Sequence, residues 1–257
     1  MQRIQLDFEG KVVLVTGASS GIGAAVARHF AALGARTILH YNRNAEGAKT
    51  EQAAIEEAGG SATILAAELT SSQAASDLVD EAVDQHGRLD ILVNNAGDLI
   101  RRSPISQMSD EDFHQVMDLN ITSVFSACRR AVPVMQRQNG GSIVNLTSIA
   151  ARTGGAGGSV AYATAKGAVS TFTRGLAKEV ARDGIRVNAV APGVITTPFH
   201  ERHTGAEQMA AMVAGIPMGR TGTPQECVGT VLFLASEQLS GYVTGQIIEV
   251  NGGQLTP

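Results

Sequence analysis

The sequence predicts an α/β fold: a single-domain, doubly wound parallel sheet of about seven strands with helices on both faces. Three observations lead to this prediction. Short apolar runs alternate with longer helical stretches, most of the runs are continuous rather than alternating, and no linker or low-complexity segment separates them. Continuous apolar runs are typical of parallel strands that helices cover on both faces. We therefore expect one domain over residues 1–257.

The apolar runs give the candidate strands, which cover residues 12–15, 36–40, 62–66, 91–93, 142–146, 186–190 and 246–250. The helical stretches between them cover residues 22–33, 45–58, 73–85, 110–138, 161–182 and 224–236. Gly34, Gly87 and Gly184 stand at predicted helix ends, where a left-handed residue is often needed. Ligands of such sheets bind beyond the carboxyl ends of the strands, so the segments that follow the strands are the candidate site.

Charge and composition restrict the possible partners. The chain has 24 acidic and 20 basic residues, a net charge of −4, which favours neither nucleic acid nor an anionic membrane. No run approaches the ~18 apolar residues of a membrane span, and residues 1–10 do not resemble a secretion signal, so we expect a cytoplasmic protein. Cys128 and Cys227 are expected to be reduced thiols, and His200 and His203 lack further ligands, so no metal site is expected.

A glycine-rich loop follows the first predicted strand. Gly17, Gly21 and Gly23 open the next helix, the context that a dinucleotide-binding loop requires, although their spacing differs from the commoner Gly-x-Gly-x-x-Gly. Glycines allow a tight turn and close backbone approach, and the helix N-terminus offers N–H donors to a pyrophosphate. Ser19 and Ser20 could also donate to phosphate. A purely structural strand-to-helix turn is the alternative interpretation.

The end of the second strand should select the nucleotide. An acidic residue there would bind the ribose 2′-hydroxyl and repel a 2′-phosphate. This chain instead has His40, Tyr41, Asn42 and Arg43. With no acid and an arginine at this point, NADP(H) is the preferred cofactor and NAD(H) the alternative. Arg43 could also simply precede the next helix in solvent.

Tyr162 and Lys166 stand four residues apart in the predicted helix 161–182, which places them on one helical face. A free phenol, with a pKa near ~10, is a poor acid–base catalyst at neutral pH. We expect the Lys166 ammonium to lower the pKa of Tyr162 toward that range. A pair of this spacing also arises by chance, so it is informative only together with other motifs.

In their order along the chain, the motifs resemble those of the short-chain dehydrogenase/reductase family, over essentially the whole length from Lys11 to Gly253. Residues 16–23 resemble the family's cofactor loop, and residues 94–97 resemble the element that ends its fourth strand, stabilises the sheet and flanks the adenosine. Residues 192–196 resemble the turn that receives the nicotinamide carboxamide. The resemblance implies a Rossmann fold and hydride transfer between a nicotinamide and a carbonyl or secondary alcohol.

The same resemblance implies a catalytic set made of Asn120, Ser148, Tyr162 and Lys166. In the family's mechanism the tyrosine is the general acid of reduction, and the lysine tunes it and holds the ribose hydroxyls. The serine donates to the developing alkoxide, and the asparagine orients a water. The interval between Ser148 and Tyr162 is one residue longer than the common spacing, so Thr147 is an alternative hydroxyl.

The predicted cofactor-binding residues come from the glycine loop, the end of the second strand and the family motifs. They are Gly17, Ser19, Ser20, Gly21, Ile22, Gly23, Tyr41, Asn42, Arg43, Glu68, Leu69, Asn94, Ala96, Gly97, Tyr162, Lys166, Pro192, Gly193, Ile195 and Thr196. Two residues depart from the family pattern. Glu68 stands where an aspartate usually contacts the adenine, and Asp98 replaces a usually apolar residue near the entrance of the site.

The substrate is expected over the nicotinamide, between residues 100–108, 151–160 and 198–215, with a substrate loop at about 194–220. The resemblance extends to 3-oxoacyl-carrier-protein reductases. The leading hypothesis is therefore NADPH-dependent reduction of a 3-oxoacyl thioester or a similar small-molecule ketone. A sugar, polyol or other secondary-alcohol dehydrogenase and a non-catalytic, dinucleotide-binding redox sensor are the alternatives, because fold does not fix function.

Assembly is the last expectation. The family forms tetramers through the two long helices beside the active site and through the C-terminal strand. Predicted helix 161–182 carries small residues on several faces, more than packing on one sheet needs, which predicts a second buried face. We therefore expect a homotetramer.

Overall fold

Seven parallel strands form one sheet in the computed structural model, which describes residues 6–256. They are β1 (Val12–Val15), β2 (Arg36–Tyr41), β3 (Ser61–Ala66), β4 (Ile91–Asn94), β5 (Gly141–Leu146), β6 (Ile185–Pro192) and β7 (Ile247–Val250). Their spatial order is β3-β2-β1-β4-β5-β6-β7, and every pairing between neighbours is parallel. The predicted doubly wound sheet is confirmed. Both ends of every predicted strand lie within two residues of the ends observed in the structure.

The helices alternate with the strands along the chain. They are α1 (Gly21–Ala32), α2 (Ala45–Glu57), α3 (Ser72–His86), α4 (Asp110–Met117), α5 (Ser123–Arg137), α6 (Ala150–Thr153), α7 (Val160–Val180), α8 (Pro198–His203), α9 (Ala206–Ala214), α10 (Pro224–Ala235) and α11 (Glu237–Ser240). The predicted helical stretch 110–138 is helical from Asp110 to Arg137, but a turn of π-helix at Asp118–Thr122 divides it into α4 and α5. The sequence analysis also missed α8 and α9, which bury no residue and therefore carry no apolar stripe.

Each strand contributes to two cores, because successive side chains point to opposite faces of the sheet. Leu14, Ile38 and Leu92 pack in the core that is shared with α3, α5 and α7. Val15 and Val93 pack in the core that is shared with α1 and α10. Helices on both faces thus explain why the strand sequences are continuous apolar runs.

The position of β1 determines where a ligand can bind. This strand pairs with β2 on one side and with β4 on the other, so the order of strands reverses there. Connections on the two sides of such a switch point leave the sheet toward opposite faces and open a crevice at the carboxyl ends of the strands. Within residues 6–256, no helix combines the length and the apolar character that crossing a membrane needs.

Candidate active site

A cavity of about 1020 Å³ lies at the carboxyl ends of β1, β4, β5 and β6. It extends from the glycine loop after β1 to α8 and α9. The predicted site residues that line it are Gly17, Ser19, Ser20, Gly21, Ile22, Asn42, Arg43, Glu68, Leu69, Ala96, Gly97, Ser148, Tyr162, Lys166, Pro192, Gly193 and Ile195. Segments more than a hundred residues apart in sequence therefore share one cavity.

The glycines of the loop have distinct physical roles. Gly17 and Gly21 have φ values of +66° and +58°, a conformation that other residues rarely adopt. A Cβ atom on Gly23 would lie 2.4 Å from the carbonyl oxygen of Gly17, so only glycine lets α1 begin this close to the loop. Gly23 itself does not line the cavity. The side chain of Ser20, the N-cap of α1, makes no capping hydrogen bond, and the first turn presents its amides as an anion site would.

Three polar side chains fix the glycine loop to the neighbouring strands. The Gly17 amide donates to His40 Nδ1 at 3.0 Å, which leaves Nε2 to donate to the Ala67 oxygen at 3.1 Å. Asn95 Nδ2 donates to the Thr16 oxygen at 2.8 Å, and Thr16 Oγ1 accepts from the Asn95 amide at 2.9 Å. Burial lowers the pKa of His40, which keeps its imidazole neutral in this role. The sequence analysis assigned no role to His40 or Asn95 in this loop.

The end of β2 forms the opposite wall of the cavity. Asn42 Nδ2 donates to Glu68 Oε2 at 2.5 Å, and the Thr70 amide and hydroxyl donate to Glu68 Oε1. Although partial burial by itself raises the pKa of Glu68, these hydrogen bonds and the charge of Arg43 hold it below its usual value. The Glu68 carboxylate is thus engaged by its neighbours, whereas exposed Arg43 faces the cavity as a cation.

Three predicted cofactor residues do not line the cavity, namely Tyr41, Asn94 and Thr196. The neighbours of Tyr41 in the chain, His40 and Asn42, do line it. Strand alternation directs the Tyr41 side chain to the other face of the sheet. Asn94 is buried and donates to Asn145 Oδ1 at 2.9 Å, which joins β4 to β5 inside the sheet. Thr196 is exposed and its hydroxyl bonds Thr221 Oγ1. We therefore remove these three from the set of candidate wall residues.

The candidate catalytic centre, made of Ser148, Tyr162 and Lys166, lies in the wall of the cavity. Ser148 follows β5, whereas the other two lie on the first turns of α7, where the spacing of four residues places them on one face. Lys166 is buried, and its Nζ lies 5.7 Å from the centroid of the Tyr162 ring and donates to the Leu146 oxygen at 2.8 Å. The ring of Phe199 in α8 lies 5.6 Å from the ring of Tyr162.

The alternative hydroxyl, Thr147, is committed to packing. It is buried, donates to the Lys166 backbone oxygen at 2.8 Å and lies 2.8 Å from Ser170 Oγ. These contacts fasten α7 to the end of β5. Both hydroxyls belong to the cavity wall, but Ser148 is less buried and lies close enough to the Tyr162 phenol to lower its pKa, so the geometry favours Ser148 as the hydroxyl that faces a substrate.

The acid–base properties of the pair differ from the sequence-based expectation. Burial raises the pKa of Tyr162 to about 12, the hydrogen bond with Ser148 opposes this shift, and the negative charge of Asp98 adds to it. Burial also lowers the pKa of Lys166 to about 8. We expected the Lys166 ammonium to lower the pKa of Tyr162 toward neutral pH. This expectation is not met in the protein alone, because the desolvation of both groups dominates.

Asn120 lies behind this centre, in the π-helical turn between α4 and α5, and does not line the cavity. Its Nδ2 donates to the Asp98 oxygen at 2.7 Å and to the Val116 oxygen at 2.8 Å. Its buried Oδ1 has no hydrogen-bond partner within the described residues. A Cβ atom on Gly97 would lie 2.7 Å from this oxygen and 3.0 Å from Lys166 Nζ, so both polar atoms flank the same glycine.

The far wall of the cavity contains residues of the predicted substrate segments. Ile100, Arg102, Ser159, Phe199 and Met212 belong to this wall, together with Leu99, Gln115, Ala156, His200, Arg202 and Gln254. Gln115 and Gln254 lie outside the segments that the sequence analysis proposed. Neither carries a motif, and only the folding of α4 and of the C-terminal segment brings them here.

His200 and His203 each contact another side chain near the cavity. His200 Nδ1 lies 2.9 Å from Thr204 Oγ1, and His203 Nε2 lies 2.5 Å from Asp98 Oδ1. Across residues 6–256 no group of three or more His, Cys, Asp or Glu side chains is arranged to hold a metal ion.

Comparisons with known proteins agree with this geometry. The model of a protein family described as enoyl-(acyl carrier protein) reductase matches residues 17–254. A 3β-hydroxysteroid dehydrogenase of Eggerthella lenta is 41% identical over 249 residues, which cover 96% of this chain and 94% of that protein. A 3-oxoacyl-[acyl-carrier-protein] reductase of Synechocystis is 39% identical over 245 residues, which cover 95% of this chain and 97% of that protein.

A solved structure extends the similarity to three dimensions. A 7α-hydroxysteroid dehydrogenase, in complex with NADH and 7-oxoglycochenodeoxycholic acid, superposes with a TM-score of 0.91 at 35% identity, covering 96% of this chain and 95% of that one. The similarity spans nearly the full length of the sequence, and it confirms the resemblance that the motifs indicated. The chain belongs to the short-chain dehydrogenase/reductase family and is an NAD(P)(H)-dependent oxidoreductase acting on alcohols or ketones.

Proposed function

We propose that this protein is an NADP(H)-dependent reductase of a 3-oxoacyl thioester or a similar apolar ketone. One observation carries the proposal: the Ser148 hydroxyl, the Tyr162 phenol and the Lys166 ammonium share a cavity with a glycine loop at a helix N-terminus. Two hydroxyl groups at one point can both donate to a single carbonyl oxygen, which is what the reduction of a ketone requires.

The residues of the chain handle the proton and the developing charge. A bound nicotinamide would supply the hydride. Tyr162 holds the proton that the substrate oxygen receives, and Ser148 donates a hydrogen bond to that oxygen as its negative charge develops. Lys166 places a positive charge beside the phenol. The unpaired Oδ1 of Asn120, close to Lys166 Nζ across Gly97, is suited to hold a water that returns a proton to this pair.

The preference for NADP(H) rests on the end of β2. No carboxylate follows His40 there, and the acid across the cavity, Glu68, is held by Asn42 and Thr70. Arg43 lines the cavity in the position from which it could pair with a 2′-phosphate. The hydroxysteroid dehydrogenase structure was solved with NADH, so the relatives alone do not fix the preference.

The character of the far wall supports an apolar substrate. Leu99, Ile100, Phe199 and Met212 contribute large apolar side chains to it beside several polar ones, and these four suit an acyl chain or another apolar ketone better than a polyhydroxylated sugar. The Synechocystis relative is named for a 3-oxoacyl substrate, and the Eggerthella relative for a steroid. An apolar secondary alcohol or ketone of another kind is therefore the second candidate.

An assay of the purified protein tests this proposal. NADPH and NADH are each supplied with a β-ketoacyl thioester, a β-keto ester, a diketone, a 3-oxosteroid and a keto-sugar, and nucleotide oxidation is followed by absorbance. We expect turnover of the thioester with NADPH to exceed that with NADH and that of the keto-sugar. Faster turnover of the keto-sugar would contradict the substrate class. Tight nucleotide binding with no turnover of any compound would favour the redox-sensor alternative.

We also propose that the protein assembles as a homotetramer through α4, α5 and α7. Phe113, Phe125 and Val160 are large apolar side chains on these helices, and they are 36%, 44% and 50% exposed. Phe125 packs edge-on against Phe172, which extends the apolar surface from α5 to α7. Surface of this kind is usually covered by a partner. Sedimentation equilibrium at micromolar concentration tests the assembly, and a monomeric mass would contradict it.

A further inference from the structure

Asp98 forms an unusual set of contacts at the entrance of the cavity. Its Oδ2 accepts a hydrogen bond from Arg202 Nη2 at 2.8 Å, and its Oδ1 accepts one from His203 Nε2 at 2.5 Å. Both partners belong to α8, more than a hundred residues along the chain. The side chains of Asp98 and His203 are only 23% and 10% exposed, so solvent screens this contact less than a surface ion pair.

The same residue also shapes its own loop. Asp98 Oδ1 accepts from the Ile100 amide at 3.3 Å, and Ile100 has a φ of +64°, which is a costly conformation for a β-branched residue. The Asp98 backbone oxygen accepts from Asn120 Nδ2 at 2.7 Å. A strained backbone persists only where its surroundings hold it, and Asp98 is one of the groups that hold this one.

Helix α8 depends on such polar contacts for its position. None of its six residues is fully buried, and polar contacts therefore contribute to holding it in place. Besides Asp98, Arg102 holds α8, because its Nε donates to the His203 backbone oxygen at 2.6 Å. Helix α8 carries Phe199, whose ring covers Tyr162. The centroid of the Phe199 ring lies 5.6 Å from that of Tyr162 and 5.2 Å from that of His203.

We propose that Asp98 is a positioning residue that holds α8 closed over Tyr162 and joins this cover, through its backbone oxygen, to Asn120. The carboxylate fixes the end of α8 through Arg202 and His203, and α8 then keeps the Phe199 ring over the phenol and shields it from water. The link between this cover and turnover rests on the proposed function. The tether itself does not, and it can be measured without a substrate.

Hydrogen exchange of the full-length protein, followed by mass spectrometry, tests the tether. Asp98→Asn keeps an acceptor but removes the charge, and Asp98→Leu removes both. We expect peptides over residues 197–204 to exchange about tenfold faster in Asp98→Asn, and faster still in Asp98→Leu, since a charge-assisted hydrogen bond is lost. Two amides are the reporters. The His200 amide donates to the Thr197 oxygen, and the Thr204 amide donates to the His200 oxygen. Exchange in Asp98→Asn within twofold of the wild-type rate would overturn the proposal.

Asp112→Asn is the matched control. Asp112, in α4, pairs with Arg101, which lies in the same loop as Asp98, and within residues 6–256 neither side chain forms a hydrogen bond or ion pair with α8. This variant should leave exchange over residues 197–204 unchanged, and an equal acceleration would mean that any loss of charge near the loop loosens α8. Circular dichroism and the thermal midpoint confirm that each variant is folded, and Asp98→Asn alone decides the test if Asp98→Leu does not fold.

Kinetics then test the link to catalysis with the best ketone from the assay above. We expect Asp98→Asn to lower kcat/KM for the ketone about tenfold while the KM of the nucleotide stays within about twofold, because α8 covers the phenol rather than the adenosine end. Asp112→Asn should match the wild type in both parameters. Loss of nucleotide affinity in Asp98→Asn without loss of kcat/KM for the ketone would refute the link. Unchanged exchange would refute the tether, whether or not a substrate is found.

Discussion

Gly97→Ala tests whether the gap between Asn120 and Lys166 is required for turnover. The added methyl would lie 2.7 Å from Asn120 Oδ1, 3.0 Å from Lys166 Nζ and 3.5 Å from Lys166 Cε. Ordinary contacts of a methyl carbon are about 3.5 Å or longer. The amide oxygen must therefore retreat by roughly 0.8 Å and the ammonium by roughly 0.5 Å. Gly97 does not have a positive φ, so the backbone accepts alanine and the clash is the only perturbation.

The two displaced groups have little freedom to move elsewhere. Asn120 is held by its bonds to the oxygens of Asp98 and Val116, and Lys166 by its bond to the oxygen of Leu146. Overpacking of this kind costs about 1–3 kcal/mol of stability. A displacement approaching 1 Å of a group near the reaction can lower turnover by about 10²-fold. We expect Gly97→Ala to fold, with a lower thermal midpoint and with kcat reduced about 10-fold to 100-fold.

The assay is steady-state reduction of the best ketone with NADPH, together with thermal unfolding of the same samples. Gly229→Ala, in α10, is the matched control, because a Cβ atom there would meet nothing within 4 Å. That variant should retain kcat and gain up to about 1 kcal/mol of stability, since alanine replaces a helical glycine. A Gly97→Ala protein with kcat within twofold of the wild-type value would refute the reasoning on the Asn120–Lys166 gap.

Three further outcomes are expected. Tyr162→Phe should bind NADPH as the wild type does but lose about 10²-fold to 10⁴-fold in turnover, as the loss of a general acid predicts; near-normal turnover would exclude the acid role. Arg43→Ala should raise the KM of NADPH about tenfold and change that of NADH less than twofold, and equal effects on both would contradict 2′-phosphate binding. Because burial lowers the pKa of Lys166 to about 8, its charge is complete below that pH and lost above it, so kcat/KM for reduction should fall above pH 8. A profile that stays flat to pH 10 would be inconsistent with this role.

The sheet could be predicted from the sequence because burial on both faces leaves an unbroken apolar run in each strand, as in residues 12–15 and 91–93. The π-helical turn at Asp118–Thr122 could not, since one extra residue inside a long amphipathic stretch hardly alters its apolar pattern. Helices α8 and α9 were also missed. They bury no residue, so contacts that are distant in sequence determine their positions rather than any local pattern.

The candidate active site could also be predicted from the sequence only where its residues form a local pattern. The glycine loop and the pair Tyr162 and Lys166 are local patterns, and the sequence analysis identified all of them. Two other contacts have no local signature in the sequence. His40 supports the glycine loop from 23 residues beyond Gly17, and Asp98 contacts His203, which is 105 residues away. Asn94, for which the motif implied both stabilisation of the sheet and a contact with the cofactor, lies inside the sheet and off the cavity wall, because a motif records that a residue is needed and not the side on which it acts.

The properties of Tyr162 and Lys166 argue that the chain is suited to reduction at neutral pH. With a pKa of about 12 for the phenol and about 8 for the lysine, the phenol holds its proton and the lysine its charge at pH 7. The alkoxide formed when a ketone accepts a hydride is a much stronger base than a phenolate, so proton transfer from Tyr162 to it is downhill. Oxidation of an alcohol would instead require the phenolate, and a raised pKa leaves very little of it at pH 7. A positive charge close to the ring would first have to lower the pKa of Tyr162, and oxidised nicotinamide carries such a charge whereas the reduced form does not. We therefore expect the buried pair to act as an acid without further assistance, but as a base only when the oxidised cofactor is bound.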